Sequence, residues 1–443
     1  MVRFAQATRM IRFAPTLAVI AFAVLAASQA SAFDWLELPY DSKIMVRDRG
    51  FVAGVLAGRD VLDSKEKETR FDNFFKKGLF SEMTQESVLG ELPEKRHAFF
   101  TRYVRAAKDP AALKRVNDLT LKIVPVLIRG VTRQGKHMDF HPAVQYTAVL
   151  ILGELDRELG VQFGDKQPPK PLPEALPLLF QLYMANESSD AIRGGALVGI
   201  ARHAQYSVIN DPNGKIGEVL LSQIKQPLPE NRDPSAHDWM RRIAVQILGD
   251  MGQSGSNPEI VAEIVRLVGD KNTTMALRCA AAETLGKFKL QPAAKVNAVA
   301  LANGLADLAV DACVYEQRIV AQLEQLPSRR RLAYHLTCVR KSIEPSQKHV
   351  EEPQQKMLAR IDTFVAQLIE EMDRSSFSDE DLYAKLDTIS SQIQAAIGAG
   401  GGSGEAPTAT PIEDTTEPKA DEPTGFDPFG FSPDTALDAR GHA

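Results

Sequence analysis

The sequence predicts an all-α protein built as an array of paired helices, and three observations carry that reading. Four segments in the middle of the chain repeat one pattern of small and apolar residues at helical spacing. Prolines fall between them, at Pro142, Pro173, Pro212, Pro234 and Pro258, where turns tolerate them. No stretch alternates strictly with period two between hairpin turns, so little sheet is expected.

The four segments align on Gly153, Ala201, Gly249 and Gly286, which are 48, 48 and 37 residues apart. One position earlier stand Leu152, Ile200, Leu248 and Leu285; four earlier, Val149, Leu197, Val245 and Ala282. Five earlier is always alanine: Ala148, Ala196, Ala244 and Ala281. These columns share one helix face, and alanine at a fixed point lets two helices approach closely. The closing small residue suits a helix end. Eight positions before it stand Gln145, Arg193, Arg241 and Arg278. A first helix is predicted ahead of each aligned one, over residues 119–131, 174–184, 216–225 and 259–268. One helix pair cannot bury its apolar face alone, but a stack of pairs makes a continuous core.

A second helix reading Arg-x-x-Ala-x-x-x-Leu-Gly resembles the HEAT or armadillo-type repeat. Arg241-Arg-Ile-Ala-Val-Gln-Ile-Leu-Gly249 and Arg278-Cys-Ala-Ala-Ala-Glu-Thr-Leu-Gly286 match best. The segment from His141 to Gly153 departs only by Gln145 in place of the arginine. The segment from Ala191 to Ala201 is the weakest, because Gly194 and Gly195 lower its helix propensity. The resemblance covers residues 116–288 and extends, degraded, to about residue 343. It implies an α-α superhelix, a curved solenoid of stacked helix pairs whose surface binds proteins or peptides, and it implies that Arg193, Arg241 and Arg278 support contacts between repeats.

The flanks are read in chain order. Residues 1–32 have the build of a secretory signal peptide: Arg3, Arg9 and Arg12, a short apolar run, then Ala30-Ser31-Ala32 as a cleavage signature. Export to a periplasmic or extracellular space is expected, with cleavage after Ala32. Residues 33–114 carry aromatics and charges, such as Phe71-Asp-Asn-Phe-Phe75 and Phe99-Phe-Thr-Arg-Tyr103, and read as irregular helices capping the repeats. The solenoid is assigned to residues 115–345, with long helical material at 293–325. Residues 346–398 read as a helical pair, apolar at Leu358, Ile361, Phe364, Val365 and Leu368, and then at Leu382, Leu386, Ile389 and Ile393. Residues 399–443 open with a Gly/Ser linker and continue as an acidic segment expected to be disordered. Within it, Phe426, Phe429 and Phe431 form a candidate partner-docking motif, since nothing local can bury them.

Charge narrows the function. The chain carries 52 Lys and Arg against 57 Asp and Glu, a net charge of -5. Nine acids and two basic residues lie beyond Ala399, so the body ahead of the tail is close to neutral. That balance argues against nucleic-acid binding. After the signal, no charge-free run is long enough to cross a bilayer. The sequence contains no HExxH, GxSxG, Walker-type loop or GxGxxG. No catalytic residue, cofactor or metal is assigned. His137, Asp139 and His141 are the densest ligand-type cluster but read as a surface turn before a repeat helix. Cys279, Cys313 and Cys338 read as buried thiols, with a single disulfide between two of them left open. Arg329, Arg330, Arg331, Arg340 and Lys341 form the one basic cluster, read as a solvated helix end. The leading expectation is a secreted, non-enzymatic scaffold for an unidentified protein or peptide. The alternatives are a ligand-binding or lyase/glycosylase-like helical-repeat enzyme, for which Glu154, Asp156 and Asp238 are the candidate acids, and a self-associating envelope component.

Overall fold

The computed structural model describes residues 35–130, 139–160, 167–211, 213–230, 232–252, 256–290, 296–323, 326–374 and 376–398. The expected signal peptide, the acidic tail with Phe426, Phe429 and Phe431, and His137 lie outside the described residues. Among the described residues the fold is all-α, with fifteen α-helices. The exception is one antiparallel ribbon of β1 (Asp156–Glu158) and β2 (Lys170–Pro171).

The N-terminal region holds α1 (Ser42–Leu56), α2 (Lys65–Asn73) and α3 (Leu92–Phe99). Two stretches of π-helix, Phe74–Phe80 and Phe100–Val104, continue α2 and α3. Phe71, Phe74, Phe75, Phe80, Phe99, Phe100 and Tyr103 are all buried. Edge-on and tilted contacts, with centroids 5.0 to 5.6 Å apart, join Phe71, Phe74, Phe75 and Tyr103 in one set and Phe80, Phe99 and Phe100 in another. Asp48 of α1, fully buried, is bound by Arg47 and Arg70, which hold its carboxyl below the usual range against the cost of burial.

Five helix pairs follow: α4 (Pro110–Arg129) with α5 (Pro142–Glu154), α6 (Ala175–Met184) with α7 (Asp190–Tyr206), α8 (Lys215–Lys225) with α9 (Pro234–Met251), α10 (Pro258–Gly269) with α11 (Met275–Lys287), and α12 (Ala298–Leu323) with α13 (Arg329–Gln347). Four of these helices start in the same way. Asp109, His141, Asp233 and Asn257 each accept the first free amides, and proline fills the next position. That proline has no N–H to orphan and its fixed φ suits a first turn. This start places α4 at Pro110, nine residues before the predicted 119. The helix also runs through Pro125, because Val124, Leu127 and Ile128 are buried around it. The boundaries drawn from sequence after residues 114 and 345 therefore fall inside α4 and α13.

The second helices pack in chain order: α5 on α7, α7 on α9, α9 on α11, α11 on α13. Among the first helices, α8 packs on α10 and α10 on α12. The repeat columns lie between them. Ala148, Ala196, Ala244 and Ala281 are buried, as are Leu152, Ile200, Leu248 and Leu285. The closing small residue has a different reason from the helix-end role expected of it. A methyl group on Gly153 would stand 2.7 Å from Cα of Gly199, and one on Gly286 would stand 2.5 Å from the carbonyl oxygen of Lys341. Small size lets neighbouring second helices touch through their backbones. Gly194 and Gly195, costly by propensity, have the same logic: Trp239 lies over the first, and Tyr146 with Val149 over the second.

Gly286→Ala is therefore expected to force α11 from α13 and cost about 1–3 kcal/mol. Gly50→Ala, where nothing lies within 4 Å, is expected to be neutral or mildly stabilising. Urea midpoints read both, and an unchanged midpoint for Gly286→Ala would refute the steric account.

The array ends with α14 (Glu352–Asp373) against α13 and α12, and α15 (Asp379–Gly398) against α12 and α14. Residues 298–322 of α12 are long and apolar enough to cross a membrane by length and composition. In the structure α12 is a core helix covered by α10, α13, α14 and α15.

Candidate functional site

The side chains singled out in sequence fall into three groups. The first is the arginine column. Each arginine reaches back from its own helix to the end of the preceding one. Arg193 Nη2 donates to the carbonyls of Ala185 (3.1 Å) and Asn186 (3.4 Å) beyond α6. Arg241 Nε donates to Ile224 at the end of α8 (2.9 Å), and Arg278 Nε to Val268 at the end of α10 (2.9 Å). Helix C-termini leave carbonyls unpaired and carry partial negative charge, so a guanidinium there is doubly favourable. Arg241 also pairs with Asp238 (3.1 Å), and Arg278 with Asp311 of α12 (2.8 Å). Arg278 thus touches α10, α11 and α12 at once.

The second group holds the candidate acids. Asp156, opening β1, accepts Arg202 Nη2 of α7 at 2.6 Å, and its backbone carbonyl accepts Asn117 Nδ2 of α4 at 2.8 Å. Glu154, closing α5, faces Arg96 of α3 at 3.4 Å. Burial raises both carboxyls, and Arg96, Arg202 and Arg105 pull them back down. All three acids named from sequence are held by a guanidinium, Asp238 included.

This cluster contains a signal that sequence reading missed. The residue immediately after each closing small residue is Glu154, Arg202, Asp250 and Lys287, alternating in sign. In space this column forms ion pairs along the ends of the second helices: Arg96 to Glu154, Arg202 to Asp156, and Lys287 to Asp250 at 2.9 Å.

The third group is the basic cluster at α13, which pairs with acids on neighbouring elements. Arg329 binds Asp379 (3.1 Å), Arg340 binds Asp362 (3.2 Å), and Lys341 binds Glu283 (3.0 Å). Arg331 holds the fully buried Glu316 of α12 in a two-point contact, 2.6 and 2.8 Å. Arg330 is exposed. Close by, His335 meets the ring of Tyr315 edge-on at 5.6 Å.

His141 caps α5 through Nδ1, 3.1 Å from the Ala143 amide, and its ring meets Trp35. The backbone carbonyl of Asp139 accepts the Leu36 amide at 2.8 Å. No cluster of three or more metal-ligating side chains occurs among the described residues. Among the described residues, one surface hollow lies along α15 at Asp387, Ser391 and Ala395 and another between Gly58, Val61 and Pro110; neither is lined by the candidate acids. No family model, curated protein or solved structure matches the chain.

Proposed function

We propose that this chain is an exported helical-repeat scaffold, a HEAT-like solenoid whose helix surfaces hold a protein or peptide partner. One observation carries the reading: five second helices, α5, α7, α9, α11 and α13, pack on one another in strict chain order, and arginines of α7, α9 and α11 cap the first helix of their own pairs. Serial neighbour-to-neighbour packing is the logic of a solenoid, where each repeat covers the next and an extended surface results. The acids nearest a catalytic role are engaged by Arg96, Arg202 and Arg241, which suits a framework held rigid by ion pairs. In this reading the acidic tail is a tether, and Phe426, Phe429 and Phe431 add a second contact. A tethered contact acts at high effective concentration and raises avidity without new surface on the body.

The test is cross-linked affinity capture from native extracts, with mass spectrometry, using the chain from residue 33 to 443 beside one ending at Gly398. One dominant partner is expected, recovered at least several-fold less well without the tail. Finding no specific partner at any salt concentration would overturn the scaffold reading. Equal recovery by both chains would remove the tether while leaving the body as the binding surface.

A further inference from the structure

We propose that His237 is the proton-sensitive member of a clamp joining the ends of α7, α8 and α9, and that its protonation releases Arg232 from Asp190. The clamp draws on two helix pairs. Arg232, just ahead of α9, grips Asp190, the first residue of α7, at two points: Nε to Oδ2 at 2.7 Å and Nη2 to Oδ1 at 2.6 Å. Its third nitrogen, Nη1, lies 3.3 Å from Nδ1 of His237 in the first turn of α9. Nε2 of the same ring lies 3.0 Å from the carbonyl oxygen of Gln226, which follows the last residue of α8. The Arg232 side chain is only 8% exposed, and His237 is buried.

These partners fix the proton on the ring. A guanidinium can only donate, so Nδ1 accepts and carries no hydrogen. A carbonyl can only accept, so Nε2 holds the proton and donates. The neutral Nε2–H tautomer thus satisfies both nitrogens. A second proton, on Nδ1, would point at a cationic N–H and set two positive charges side by side away from water. Asp190 has no free oxygen to offer it, because Arg232 takes both. Protonation of the ring and the seat of Arg232 are therefore mutually exclusive.

The other charges nearby leave that sign unchanged. Asp238 and Arg241, on α9, pair with each other at 3.1 Å. Arg193 of α7 donates to the carbonyls of Ala185 and Asn186. Tyr183 of α6, within electrostatic reach of Arg193 and Arg232, donates to Gln223 at 3.0 Å, and burial raises its hydroxyl so that it stays neutral. Burial holds the His237 ring below the ordinary histidine range, aided by Arg241 and Arg232 and opposed by the Gln226 carbonyl and Asp238. Arg232 keeps the Asp190 carboxyl low, so it remains ionised while the ring titrates. The clamped state binds fewer protons than the open one. The clamp is therefore complete above about pH 6.5 and weakens as pH falls through the lowered value of the ring.

Trp239 stands two residues beyond His237, and its ring lies over Gly194 of α7. Clamp and tryptophan hold the same seam, between α7 and α9. Release of Arg232 takes the ionic tie from that seam and loosens the start of α7, giving the array one joint that responds to mild acid. The event is local and is read by local probes. This proposal is independent of the scaffold reading, since it concerns only contacts inside the array.

Two measurements on the full chain test it. NMR of the imidazole nitrogens follows His237, assigned by its absence from His237→Gln. Hydrogen exchange, corrected for the intrinsic effect of pH, follows the amides of Arg193 and Gly194 at the start of α7. At pH 7 the ring is expected as the Nε2–H tautomer, titrating below the ordinary histidine value, and exchange should rise several-fold between pH 7 and pH 5. Arg232→Met should raise the titration of the ring and make exchange fast at both pH values. His237→Gln, whose amide can accept from Arg232 and donate to a carbonyl without taking a proton, should keep exchange slow at both. A ring that titrates at or above the ordinary value, or whose titration ignores Arg232→Met, would overturn the proposal. So would exchange in the parent that is unchanged between pH 7 and 5, or an equal rise in His237→Gln, which would trace the effect to the whole fold.

Discussion

Between pH 7 and pH 5 the folded chain is expected to lose about 2 kcal/mol of stability at each of two histidines, His203 and His335. Both rings are buried, and each keeps a nitrogen without a hydrogen-bond partner: Nε2 of His203 and Nδ1 of His335. A second proton would place an uncompensated charge in the core. Burial pushes both down to about 4; Arg202 adds to this at His203, while at His335 Glu316 pulls up and Arg331 pushes down. The unfolded chain takes these protons near pH 6.5. The folded state binds fewer protons between those limits, so stability is complete above pH 6.5, falls as the pH drops towards 4, and levels off below it. The full loss is about 3 kcal/mol per histidine.

Carboxyls modify the curve at its acid end. Glu154, Asp156 and Asp307 are raised by burial, so they return some stability as pH falls through their folded values. Asp48, Asp190 and Asp270 are lowered and withdraw stability only below the ordinary carboxylate range. The histidines therefore dominate from pH 7 to 5. Urea denaturation at pH 7, 6 and 5 of the parent, His203→Leu and His335→Leu measures this. Each variant should lose about half of the parent's pH dependence. A parent curve flat between pH 7 and 5, or variants with the parent's slope, would count against the assignment.

How much of this was legible in sequence follows from the kind of interaction. The repeat columns were readable because one helix face has a fixed period: Ala148, Ala196, Ala244 and Ala281 share a register and are all buried. The helix starts were partly readable, because Asp-Pro, His-Pro and Asn-Pro at 109, 141, 233 and 257 combine a side-chain acceptor with a residue that needs no amide partner. Partners across helices were not readable. Arg96 meets Glu154, and Arg278 meets Asp311, through the packing of separate elements. Spacing along the chain tells which face a residue is on, but not what lies opposite. The basic run at 329–331 shows the cost: in composition it is a surface patch, while in space Arg331 points at a buried acid. The π-helical turns escaped for a related reason. They are chosen by where Phe74, Phe75, Phe100 and Tyr103 must pack, and their local sequence is ordinary helix.

Replacing Arg331 by methionine is expected to cost about 3–5 kcal/mol, the usual result of leaving one member of a buried pair behind. Glu316 is 0% exposed, and without the guanidinium its remaining donor among the described residues is the Ser328 amide at 3.0 Å. The pair also ties the first turn of α13 to the C-terminal part of α12. Glu316→Leu combined with Arg331→Met removes both charges and should recover most of the loss, because two desolvated ions have been replaced by apolar volume. A double-mutant cycle in urea at pH 7 measures the coupling. A cost below about 1 kcal/mol for Arg331→Met would place the pair with exposed surface bridges and remove its structural weight. A second readout separates electrostatics from lost packing. With Arg331 gone, the pull of Glu316 on His335 works against burial alone, and the ring should titrate at higher pH in the folded state. NMR of the imidazole protons reports that shift directly. The variant should also lose less stability between pH 7 and 5 than the parent does, since His335 would then take its proton without unfolding. A variant equally destabilised at both pH values relative to the parent would mean that Arg331 acts through packing over Tyr315 alone.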